Sequence, residues 1–129
     1  YAESLHLDYN GEWDFNLEYK PIEGFELNLG WISAIHRAQK EVQNGLDIKC
    51  PVLVMYSDKS VKPGNYIESM HTADAVLDVK HIAKYAKVLG DEVEEKEIID
   101  GIHDLVLSQK TIRNRVYDTM SEFISEKLQ

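Results

Sequence analysis

The sequence predicts an α/β fold, a mostly parallel sheet flanked by helices. Three observations predict it. The run "CPVLVMYS" (50–57) is apolar almost throughout, without alternation, as in a strand buried on both faces of a parallel sheet. A second run, "VEEKEII" (93–99), alternates more and so belongs nearer a sheet edge. A helix-period segment lies between them, and a strand–helix–strand order implies parallel neighbours joined by a right-handed crossover.

The elements follow in order. Residues 1–30 hold Trp13, Phe15, Tyr19, Pro21 and Phe25 among many acids, with no clean helical or strand period. This stretch reads as the middle of a longer polypeptide. From Trp31 to Gly45 the apolar positions Trp31, Ile35, Ala38 and Val42 mark one helix face, closed by Gly45. After the first strand, 57–77 is a long polar connection turning at Pro63, Gly64 and Asn65. Asp78 is placed to cap a helix whose apolar face is Val79, Ile82, Ala83, Ala86 and Leu89, with Gly90 as its stop. The last helix carries Ile112, Val116, Met120, Ile124 and Leu128. Two parallel strands do not make a stable sheet alone, so further strands are expected from sequence before Tyr1.

Composition narrows the function. The 129 residues suit one modest domain, and 43% hydrophobic content supports a packed core. A net charge of −9 leaves no basic stripe for phosphate, which excludes nucleic acid and disfavours anionic lipid. Cys50 is the single cysteine, so no internal disulfide forms, as suits a cytoplasmic protein. Cys50 itself reads as a small core residue. No apolar run approaches the roughly 18 residues of a membrane span, and no signal peptide is visible.

In an open α/β sheet, sites form beyond the carboxyl ends of the strands. Those ends lead here into the 57–77 and 100–110 loops. The first offers Asp58, His71, Asp74 and Asp78, and the second offers His103 and Asp104. Adjacent strands are only about 4.8 Å apart, so side chains from the two loops can meet. An Asp on one loop and a His on the next is the arrangement that holds an imidazole in its useful tautomer. Such a histidine serves as base for a Ser or Cys nucleophile. None of Ser4, Ser33, Ser57, Ser60, Ser69, Ser108, Ser121 and Ser125 lies in G-x-S-x-G, so the nucleophile is expected before Tyr1. The alternatives are a turn histidine bonded to backbone and a metal site built from His71, Asp74, His81 and Asp58, although no tight ligand spacing is present.

"CPVLVMYSDKS", "TADAVLDVKHIAKYAKVLG" and "EIIDGIHDLVLS" resemble the C-terminal half of an α/β-hydrolase of the serine aminopeptidase, or monoacylglycerol lipase/lysophospholipase-like, group. In that group a "PVLVLxG" strand precedes an "AD-x-x-x-D" acid motif, and a later strand precedes "G-x-H". Ala73-Asp74 with Asp78 fits the first motif, and Gly101-Ile102-His103 fits the second. The match covers about 48–127. The resemblance implies a cap or lid segment with its return helix over 1–45 and the hydrolase core over 46–129. It also implies His103 and Asp74 as catalytic residues, no cofactor or metal, and a small ester or lipid-like substrate. The missing N-terminal half would be the partner of this piece.

Two departures qualify the match. Residues 59–73 intervene between strand and acid motif, which leaves Asp58 as a rival acid nearest the strand end. Asp74 is favoured because the residues after it match and lead into the helix. The nucleophile and oxyanion loop are also absent. The aromatics of 13–31 serve either an acyl pocket or cap packing. The rival class is a non-catalytic α/β-hydrolase-like domain that binds a ligand or partner.

Overall fold

Strands β1 (Val52–Ser57) and β2 (Val93–Ile98) pair in parallel, from Val52 opposite Val93 to Ser57 opposite Ile98. The computed structural model of the 129-residue chain describes residues 1–62 and 64–127. Pro63 and Leu128, both assigned roles in the sequence reading, lie outside the described residues. Helix α1 (Leu29–Asn44) precedes β1, α2 (Val79–Ala86) forms the crossover between the strands, and α3 (Lys110–Lys127) follows β2. Single 3₁₀ turns occupy Ala2–Ser4, Glu68–His71 and Leu105–Leu107. The chain is therefore α/β, with one parallel strand pair among the described residues.

Helices α1 and α2 start where a side chain satisfies a free N–H group. Asn28 Oδ1 accepts from Trp31 N–H at 2.8 Å, which starts α1 ahead of the Trp31 that the periodicity suggests. Asp78 caps α2 as expected, accepting from Lys80 N–H at 3.0 Å. Gly45 ends α1 at φ +92°, a conformation that favours glycine. Gly90 is not the stop of α2, which ends at Ala86. Its need for glycine comes from packing: a Cβ there would lie 2.4 Å from the carbonyl oxygen of Ile48.

The core lies between β2, the loop after it and α3. Ile98, Leu105, Ile112 and Val116 form one buried cluster, with Met55 of β1 packed against it. Burying each such side chain contributes about 1.5–3 kcal/mol. The apolar stripe of α3 outruns this core, for Met120 and Ile124 are exposed. Helix α1 buries no residue at all, and its Ile35, Ala38 and Val42 face α2 across an apolar groove of about 460 Å³. Val52–Met55 are only half-buried, not covered on both faces, since β1 has no second neighbour among the described residues. Cys50 is exposed, a correction to its reading as core, because the strand begins beyond Pro51. No helix among the described residues is long and apolar enough to cross a membrane.

A parallel pair with an open β1 edge and an uncovered α1 face has unpaired backbone groups and apolar surface to spare. The 129 residues alone are expected to self-associate. Light scattering behind a sizing column tests this; a compact monomer with one cooperative unfolding transition would contradict it.

Candidate functional site

The acid loop returns to the strand end despite its length. Beyond Ser57 the chain runs through Asp58–Val61, leaves, and comes back at Ala73. Asp74 N–H donates to the Lys59 carbonyl at 2.9 Å, and Val61 N–H donates to the Asp74 carbonyl at 2.9 Å. Ser60 adds two bonds, its hydroxyl donating to the Leu77 carbonyl and accepting from Val79 N–H. Ala73, Asp74 and Ala75 are buried as a result.

The histidine loop leaves the neighbouring strand end. Asp100 takes a left-handed backbone at φ 61°, which Asp tolerates better than most residues. Gly101 then passes so close to Ile98 and Leu105 that a Cβ would lie 3.0 Å from the Ile98 carbonyl oxygen and 2.5 Å from Leu105 Cδ2. His103 follows, its side chain 27% exposed.

The structure brings His103 and Asp74 together. Nδ1 of His103 lies 2.9 Å from Asp74 Oδ2, and the Asp74 side chain is only 2% exposed. The other carboxylate oxygen, Oδ1, accepts from Val76 N–H and Leu77 N–H, both at 2.8 Å. With Oδ1 already taken by two backbone donors, Oδ2 is left to accept from Nδ1 of His103, an arrangement that directs Nε2 away from the carboxylate. Nε2 makes no hydrogen bond among the described residues.

Asp58, the rival acid, is used elsewhere. Its Oδ1 accepts from Asp100 N–H at 2.8 Å, and Lys59 Nζ donates to Asp100 Oδ1 at 2.6 Å. This clasp ties the two strand ends together. The four residues of the metal alternative are dispersed among different partners. His71 Nε2 meets the Tyr66 hydroxyl at 3.0 Å, Asp74 holds His103, and His81 lies beside Tyr85. Among the described residues no group of three or more His, Cys, Asp or Glu is placed to hold a metal ion. A cavity of about 690 Å³ opens along Asp58–Lys62, Val76–Lys80 and Ala83, but neither His103 nor Asp74 lines it.

Sequence reasoning missed the N-terminal contacts of the histidine loop. Trp13 Nε1–H donates to the Leu107 carbonyl at 2.9 Å, with the Arg113 guanidinium 4.5 Å over its ring. The Tyr1 hydroxyl bonds Asp104. The aromatics of 13–31 therefore divide: Trp13 packs on the loop, Phe15 meets His6 edge-on, and Tyr19, Phe25 and Trp31 are exposed. A long-range aromatic contact leaves no local spacing by which to find it.

Asp74→Asn is expected to abolish the low-field Nδ1–H proton resonance of His103, whereas Asp58→Asn should leave it in place. Nitrogen-15-edited NMR of the imidazole decides it, and loss in the Asp58 variant instead would reverse the assignment. No family model, no curated protein and no solved structure matches the chain, so its function has to be read from the site itself.

Proposed function

We propose that the chain is the C-terminal part of a serine α/β-hydrolase that cleaves carboxylic esters of apolar acyl groups, lipase- or lysophospholipase-like. The observation that supports this reading most directly is the 2.9 Å bond between His103 Nδ1 and a buried Asp74, at the ends of two adjacent parallel strands.

The chemistry follows from the tautomer. With Nδ1–H held by Asp74, Nε2 accepts the proton of a serine hydroxyl as its oxygen attacks the ester carbonyl. The imidazolium that forms is stabilised by Asp74. It then returns the proton to the departing alkoxide, leaving an acyl-enzyme that water cleaves by the same route. Backbone N–H groups of the other half would hold the oxyanion.

The serine would come from sequence before Tyr1. Within the chain, Ser4, Ser57, Ser60 and Ser125 donate their hydroxyls to carbonyls, and Ser108 is buried with its Oγ accepting from Ile102 N–H. None of these bonds reaches His103. The acyl pocket would be shared with the same missing half.

His103→Ala in the protein with its natural N-terminal sequence is expected to lower kcat/KM for an ester at least about 10³-fold, with the fold intact by circular dichroism. A fluorophosphonate probe should label one serine upstream of Tyr1, and that labelling should vanish in the variant. Near-wild-type turnover would end the assignment. A folded protein that takes no probe would point to a non-catalytic binding domain.

A further inference from the structure

The loop carrying His103 is fixed by more than Asp74. The backbone N–H groups on both sides of the histidine go to side-chain hydroxyls. Ile102 N–H donates to Ser108 Oγ at 3.2 Å, and Asp104 N–H donates to the Tyr1 hydroxyl at 3.1 Å. The Tyr1 hydroxyl in turn donates to Asp104 Oδ2 at 2.8 Å. Its ring meets the His103 ring edge-on, with centroids 6.2 Å apart and planes at 82°. Asp104 adjoins the histidine in the chain, and a free carboxylate there would compete with Asp74 for the imidazole.

We propose that Tyr1 is a positioning residue that ties off both the carboxylate and the N–H of Asp104, leaving Asp74 as the carboxylate partner of His103. Its consequence for turnover rests on the hydrolase reading above; its effect on the imidazole does not. The phenol is suited to the task. Burial pushes it well above its ordinary value, the Asp104 N–H acts in the opposite direction, and the negative charges of Asp104 and Asp74 push it up further. Tyr1 therefore keeps its proton and stays a donor wherever a histidine base operates. The titratable groups facing or adjoining His103 are Asp74 from the acid loop, Tyr1 from the N-terminal segment and Asp104 beside it.

The test uses Tyr1→Phe, Asp104→Asn and the double variant, in the protein with its natural N-terminal sequence. The readouts are the NMR titration of the His103 ring and the pH profile of fluorophosphonate labelling. Loss of the hydroxyl frees the Asp104 carboxylate to approach the imidazole and favour its charged form. In Tyr1→Phe the titration midpoint is expected to rise by about one pH unit, and the acid limb of labelling with it. Adding Asp104→Asn should return both to the wild-type position, which a merely structural role for Tyr1 would not produce. Asp104→Asn alone should move the midpoint far less than Tyr1→Phe does, because Tyr1 already holds that carboxylate away. An unmoved midpoint in Tyr1→Phe, or a rise that persists in the double variant, would overturn the proposal. If Tyr1→Phe does not fold, a fall of a full unit in Asp104→Asn alone would overturn it. Variants that shift the His103 titration as described, in a protein that takes no probe, would sink the hydrolase reading and leave the role of Tyr1 standing.

Discussion

The parallel register of β1 and β2 is the constraint on which the rest depends. Strands that pair in parallel end on the same side of the sheet, so the loops after Ser57 and after Ile98 emerge next to each other. The crossover needed to reverse direction twice is supplied by α2, whose first turn is capped by Asp78. An antiparallel pairing of the same two runs would send the Asp74 loop and the His103 loop to opposite ends. The clasp of Asp58, Lys59 and Asp100 acts at the same point, holding the two chain ends together beyond the last ladder pair.

A carboxylate as buried as Asp74 is costly unless its oxygens are satisfied. Here Oδ1 takes two backbone N–H groups of the turn into α2, and Oδ2 takes the imidazole. Two of the three donors are local and would be present whatever the histidine did. They fix the carboxylate and aim its remaining lone pairs toward His103. The imidazole thus completes an acceptor that the acid loop has already oriented.

The elements with strong local signals were legible. Both strands, their parallel sense and the cap at Asp78 follow from apolar runs and their order, whereas the choice of Asp74 over Asp58 as the partner of His103 came from the resemblance of the residues after it to the acid motif. Failures came where burial depends on partners that sequence does not display. Periodicity marks an apolar stripe on α1 and on α3 but cannot say how much of it is covered; α1 buries nothing and α3 only Ile112 and Val116. Cys50 looked buried because it adjoins an apolar run, yet Pro51 separates it from the strand. Gly90 looked like a helix stop and is instead a close approach to Ile48. Tyr1 and Asp104 stand 103 positions apart, and no spacing rule reaches that far.

The long segment between β1 and Asp74 looks like an obstacle to a shared site, since the acid stands well beyond the strand. Loop-closure entropy removes most of the difficulty. Doubling a flexible loop costs only about 0.6 kcal/mol, less than one or two backbone hydrogen bonds return. The bonds from Asp74 N–H to Lys59 and from Val61 N–H to Asp74 close the excursion at its neck. With the neck closed, the carboxylate is held by the bonds of residues 59–61 and 74–77. Such an arrangement explains why counting residues from the strand end favours Asp58 while the geometry selects Asp74. Proximity in sequence measures how short a path can be; proximity in space is decided by where the chain is pinned.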